Sequence, residues 1–395
     1  MSKYVNDIHE LVNDAISESI GENATLLLED LSNVVDVGSS VLNSDHKDLF
    51  VKSLIRRIGK TVVVGKTYGG KDLGLLTDGF TYGSVLQKIH IAAPEFEEDE
   101  SWKLEKGHTY ETQLFYGAGD VKETFYEQKS ALKISISIAT KQVESAFVSA
   151  ESLDSFISGI FLAISNKIAL LNEQLALRCV NMALAENCYN VDYTGKGTET
   201  CVNVLQIYND EFGLTGTDDA VTEDNCLTDA GFIRFVIYYS GILKDRMSHQ
   251  TRLYNKEGWL NWTPEGTEKV IMYAPLKEAA DTYLFSQNRH NEYLSLGDVK
   301  EISAWQGVTN ADNFDTAVSG TFKAKDSAGH EVTGPGLVLA CIFSPEALMI
   351  YNRHDGAESK YNEVGRFTNY WNFYETSMLY DKNENFVCLI ANDPS

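Results

Sequence analysis

Proline is scarce in this chain, with six in 395 residues. That argues against Pro-rich linkers and disordered tails. Cations are also short: 33 Lys and Arg stand against 57 Asp and Glu, a formal net charge of −24. A surface that acidic repels nucleic acid and anionic lipid, which excludes a DNA-reading regulator. Long apolar runs are missing too. The greasiest stretches, 155–166 and 336–343, fall short of the roughly 20 residues a bilayer demands, so no membrane span is expected. Residues 1–13 are mixed polar and lack the basic-then-apolar pattern of a signal peptide. The six cysteines include no C-x-x-C pair, so neither a zinc ribbon nor a thioredoxin-like site is indicated. Cys179, Cys188, Cys201, Cys226, Cys341 and Cys388 read as buried, reduced thiols of a reducing compartment.

Catalytic patterns are equally thin. There is no G-x-x-x-x-G-K-[ST] and no H-E-x-x-H. Ser130 and Lys133 fit S-x-x-K, but the pattern enters a strand, where the two side chains take opposite faces. Gly117 and Gly119 begin a G-x-G with no third glycine and no βαβ context. The eight histidines, His90 among them, show no metal-ligand spacing. No cofactor, metal site or catalytic residue is therefore expected, and the chain does not read as an enzyme.

What the chain does contain is one long amphipathic segment over 150–187. Leu153, Phe156, Ile157, Ile160, Phe161, Ile164, Ile168, Leu171 and Leu175 recur at steps of three and four, which places them on one helical stripe. Ser149 or Ser152 is positioned to cap it, and Glu151 and Asp154 suit the first turn. Arg178 lies late, where the helix dipole favours a cation. At about 1.5 Å per residue such a helix runs on the order of 55 Å, long for a globular protein.

Around it, apolar spacing predicts helices over 7–17 and 45–58. Residues 61–130 are glycine-punctuated and read as a long antiparallel excursion, with a strand over 85–92 and another over 109–116. Between these strands lies the acidic run Glu95, Glu97, Glu98, Asp99 and Glu100. Residues 132–138 alternate apolar and polar, as in a strand with one buried face. Further strands are expected over 201–208, 269–274, 336–343 and 386–390. Residues 232–243 fit a helix or a buried strand. A helix is expected over 276–285 and another from Pro345 to about 351, and 297–335 reads as polar loops. Residues 361–390 are dense in aromatics.

One basic cluster stands out: Lys52, Arg56, Arg57 and Lys60, with Lys52 and Arg56 one helical turn apart. Either it faces solvent or it contacts a carboxylate-rich neighbouring subunit. Glu97, Glu98 and Trp102 on the excursion are candidate contacts of the same kind.

The order of these elements resembles the major capsid proteins of tailed bacteriophages, the HK97-like fold, in flavour those of short-tailed phages. The resemblance rests on nearly the whole chain, including 336–351 read as strand then helix, and Arg366 to Trp371 with the terminal strand. It implies an α+β fold in five parts: an N-terminal arm (1–60), an extended E-loop (61–130), a P-domain with a spine helix (131–228), an A-domain (229–345) and a return to the P-domain (346–395). It also implies self-assembly through hexamers and pentamers into an icosahedral head enclosing double-stranded DNA. Portal, scaffold or decoration proteins are the implied partners, and the virion, after the host cytoplasm, is the implied location. The short N-terminal region suggests a separate scaffold protein or none. The Lys–Asn cross-link of some family members matches no pair here. The acidic balance suits a wall that does not adsorb the DNA it holds. An encapsulin-like compartment and a soluble enzyme are the competing expectations.

Overall fold

A computed structural model describes residues 3–21, 25–28, 32–42, 46, 49–50, 53–54, 73–76, 86–91, 106, 121–126, 129–193, 195–285, 299–307 and 317–393. The fold is α+β and groups into two compact units. The first contains 1–79, 129–178 and 349–378; the second contains 80–128, 179–348 and 379–395.

In the first unit, helices α1 (Lys3–Ile20) and α2 (Val34–Leu42) bury Val12, Ile16, Val37 and Val41. Asn13 of α1 brackets the backbone of Leu27 in the connection between them: its amide donates to the Leu27 carbonyl at 2.8 Å and its oxygen accepts from the Leu27 N–H at 2.6 Å. Gly38 lets α2 approach, because a Cβ there would collide with Phe147. Strand β3 (Lys129–Ala139) pairs antiparallel with β13 (Phe367–Tyr380), and β12 (Leu348–Asn362) completes a three-stranded sheet. Ile138 and Tyr370 join the same core. A short helix, α3 (Thr140–Ala146), leads from β3 towards the long helix α4 (Ala150–Cys188).

Of the two candidate caps, Ser149 serves α4: its hydroxyl accepts from the Ser152 N–H at 3.2 Å. The apolar stripe describes only the first half of this helix. Ile160 and Ile164 are buried while Leu162 faces solvent. From Leu175 nearly every residue is buried, and from Cys179 the helix belongs to the second unit. The Leu153, Ile157 and Phe161 side chains fall outside the description. Arg178 is not in the last turn, which carries no basic residue. The helix continues to Cys188, so the dipole does not explain that arginine. The Ser158–Cys188 stretch is long and apolar enough to cross a membrane by length and composition, which the shorter runs in the sequence did not suggest. Core helices pass the same test, and 41% of the window is buried within the protein.

The second unit is built on a five-stranded sheet in the order β4-β14-β11-β5-β6. Its strands are β4 (Cys201–Asn203), β5 (Lys269–Tyr273), β6 (Val299–Ile302), β11 (Leu337–Phe343) and β14 (Phe386–Ala391). β11 runs antiparallel to both neighbours, while β4 and β6 pair parallel at the edges. β11 and β14 are continuously apolar because they are covered on both faces. Trp305 is fully buried and donates its indole N–H to the Val338 carbonyl at 2.9 Å. Helices α5 (Val204–Glu211), α6 (Ala230–Ser248) and α7 (Ala274–Phe285) belong to this unit. Asp229 caps α6 by accepting from the Phe232 N–H at 2.6 Å.

Several sequence expectations need correction. The strand expected over 201–208 stops at Asn203. Val204, Leu205 and Tyr208 then bury one helical face. The helix expected after Pro345 is absent: a tight turn, in which the Ala347 N–H donates to Ser344, leads straight into β12. The 336–351 stretch is therefore strand, turn, strand. Residues 299–333 are not mere loop. They form β6 and the short strands β7 (Gln306–Gly307), β8 (Ala317–Ser319), β9 (Lys323–Lys325) and β10 (Glu331–Thr333). α2 was not foreseen. The terminal strand β14 pairs with β11 and β4. The expected strand over 109–116 lies outside the described residues, as does most of the expected helix over 45–58.

Candidate subunit-contact site

Strands β1 (Leu86–Ile91) and β2 (Val121–Tyr126) form an antiparallel hairpin in the second unit. Period-two alternation gives it two chemically different faces. Lys88 and His90 share one face with Lys122, which sits opposite His90 in register. Ile89, Ile91 and Val121 share the other, with the exposed Glu123 opposite Ile89.

The basic face is clamped. Asp381, with its side chain fully buried, accepts from Lys88 at 2.9 Å and meets His90 Nε2 at 2.9 Å. Lys88 also reaches Glu384 at 2.9 Å and Glu346 at 3.1 Å. Lys122 donates to Asn383 at 2.8 Å and pairs with Glu257 at 3.1 Å. The acceptors are themselves held. Asn383 donates its backbone N–H and its side-chain amide to Asp381 Oδ1, both at 3.0 Å, and Asn261 donates to Glu384 at 2.9 Å. The Trp259 ring stands edge-on to His90.

Electrostatics follow from this geometry. Burial pushes the Asp381 carboxyl up, but the Lys88 charge, the Asn383 N–H and His90 outweigh it and hold its pKa below the ordinary value. Burial likewise disfavours the Lys88 ammonium. Its hydrogen bond to Glu384 and the charge of Asp381 overcome that and raise its pKa. The clamp is thus charged on both sides at neutral pH.

The opposite face is left to solvent. Ile89 is 55%, Ile91 72% and Val121 61% exposed. Three large apolar side chains side by side on one hairpin face mark an interaction surface more than three scattered ones would.

The residues singled out from the sequence, Lys52, Arg56, Arg57, Lys60, Glu97, Glu98 and Trp102, all lie outside the described residues. The basic side chains brought to carboxylates are others: Lys88, His90 and Lys122. Their alternation with Ile89 and Ile91 is visible in the sequence. Their partners lie 135 to 296 residues further on, and spacing carries no trace of them. A groove of about 620 Å³ between β3 and α4 is lined by Lys133, Ile134, Ser135, Ile136, Ala163, Asn166, Lys167 and Leu170. It offers no carboxylate, histidine or thiol.

Residues 12–390 match the family of Phi29-like phage major capsid proteins. The chain belongs to that family. It is a capsid shell protein, and its place is the virion. No curated protein matches. Among solved structures it is similar to the capsid of Staphylococcus phage Andhra, at 12% identity over 82% of this chain and 85% of that one, with a TM-score of 0.47. It is also similar to a chain from a structure of the head fiber and inner core protein gp22 of bacteriophage P68, at 11% identity over 82% and 84%, with a TM-score of 0.48. For the capsid of cyanophage P-SCSP1u the values are 12%, 82% and 88%, with a TM-score of 0.43. At this level of identity and superposition the likeness says nothing about which residues do what.

Proposed function

We propose that this capsid protein assembles through hexamers and pentamers into a closed icosahedral head around double-stranded DNA, and that the β1–β2 hairpin makes one of the contacts between copies. The single observation that carries the contact is the division of the hairpin. A charged face holds it to its own chain through Lys88, His90 and Lys122, and an apolar face of Ile89, Ile91 and Val121 points away. In a protein whose family builds shells, a second copy of the chain is the natural cover for that face. Fully burying such a side chain contributes about 1.5–3 kcal/mol, and covering what is still exposed on each of the three contributes roughly half or more of that. That gain recurs at every contact of a lattice, so modest pairwise affinity suffices for a cooperative shell.

The hairpin lies within the proposed E-loop, 61–130. The proposed N-terminal arm, P-domain and A-domain describe how the remaining chain divides its labour. Before assembly the chain waits in the host cytoplasm. A portal and a scaffold or decoration protein complete the head. The net charge of −24 keeps the wall from binding DNA tightly, so the genome is enclosed rather than gripped.

The test is a triple substitution, Ile89→Asp, Ile91→Asp and Val121→Asp, on residues whose side chains already face water. Unchanged circular dichroism and monomer yield, with shell formation lost, is the expected outcome. Normal shells from this variant would remove the hairpin from the contact.

A further inference from the structure

Three cysteines remote in sequence converge in the second unit. Cys188 ends α4, Cys201 opens β4, and Cys388 lies in β14 directly opposite Cys201 in register. The Cys188 sulfur is 3.0 Å from that of Cys201 and 3.8 Å from that of Cys388, and all three sulfurs lie within 4.8 Å of one another. All three side chains are buried. The sulfurs therefore face one another and are shut off from solvent.

We propose that Cys188, Cys201 and Cys388 form a closed structural site for a thiophilic divalent cation of the zinc type. Zinc–thiolate bonds of about 2.3 Å in tetrahedral arrangement set neighbouring sulfurs roughly 3.8 Å apart. The Cys188–Cys388 separation already has that value, and the Cys188–Cys201 edge opens by roughly 0.8 Å to reach it. The phenol oxygen of Tyr193, 3.7 Å from the Cys201 sulfur and donating to the Cys188 carbonyl at 2.7 Å, is an oxygen beside the triad that can stand at the fourth position as the neutral phenol. Loading exchanges three S–H protons for one M²⁺, with no change of oxidation state, and leaves a net charge of −1 on the three-thiolate centre. Complete burial matches a structural site, which needs no open coordination position, and places loading during folding. The cation would tie the end of α4 to β4 and to β14.

The full chain, produced in zinc-supplemented medium and purified without chelator, is assayed by metal analysis. The same chain is then refolded with Co²⁺. About one zinc per chain, and the strong visible and sulfur charge-transfer absorption of tetrahedral cobalt thiolate, are expected. Cys201→Ser should lose both signals, whereas Cys226→Ser, a buried thiol outside the triad, should keep them. Zinc-free protein with six free thiols after denaturation, or a Cys188–Cys201 disulfide in a non-reducing peptide map, would overturn the proposal. If Cys201→Ser does not fold, the wild-type cobalt spectrum decides: its absence rejects the site.

Discussion

Asp381 concentrates the residue-scale physics. Its buried carboxylate serves Lys88, His90 and the Asn383 N–H at once. Replacing it with alanine leaves the Lys88 ammonium and the His90 ring facing a vacated acceptor and should cost about 3 kcal/mol, read as a lower urea midpoint. The pH dependence has a definite sign. Asp381 is held below its ordinary 3.8, so its contribution is present above that value and fades as pH falls through the lower folded pKa. Lys88 is held above 10.5, so its contribution is present below that value and fades as pH rises through the higher folded pKa. The Tm difference between wild type and Asp381→Asn should therefore be flat between about pH 5 and 9 and shrink below about pH 4. Asn372 makes the opposite case. It is fully buried on β13, and among the described residues neither amide atom has a hydrogen-bond partner. Asn372→Leu should raise stability by about 1 kcal/mol, and a drop in Tm would show that the amide is satisfied after all. Gly197 adopts φ +76°, and a Cβ there would meet the Cys201 carbonyl. Gly197→Ala should cost about 1–3 kcal/mol by the same measurement.

At the scale of elements, the hairpin and the long helix show two ways a sequence can disclose structure. In α4 the spacing of Ile160 and Ile164 and the cap at Ser149 are local signals, and they predict a helix over 150–187 where one runs Ala150–Cys188. Its all-round burial after Leu175 depends on neighbours from other parts of the chain, which no local pattern encodes. The same limit explains the misread turn after Pro345. Proline suits a helix start, but the backbone of 348–362 is claimed by long-range pairing into the sheet with β13. Cys201 to Tyr208 was misread because its apolar residues fit period two and period 3.6 about equally well. Of the clamp, only the alternation of Lys88 and His90 with Ile89 and Ile91 was legible. Asp381 and Glu384 became partners through topology. The triad of thiols was invisible for the same reason. One consequence is testable on the hairpin alone. Lys122→Ala removes a partly exposed cation that pairs with the exposed Glu257 and donates to the amide oxygen of the buried Asn383. It should cost about 1 kcal/mol, whereas Lys88→Ala, which strips the buried and charged Asp381, should cost clearly more in a parallel denaturation series.

For the whole molecule, a net charge of −24 per copy opposes assembly while apolar contact drives it. Salt shortens the reach of that repulsion to about 8–10 Å at physiological ionic strength. Assembly yield should therefore rise from low salt to about 0.15 M and above, measured by light scattering. A yield that falls with salt would mean that ion pairs, not apolar faces, hold the copies together. The central claim, that this chain closes into a shell on itself, is met most directly by negative-stain electron microscopy of the chain expressed alone and with its neighbouring genes. Closed particles of uniform diameter are the predicted result. A monodisperse monomer or small oligomer under both conditions would contradict it.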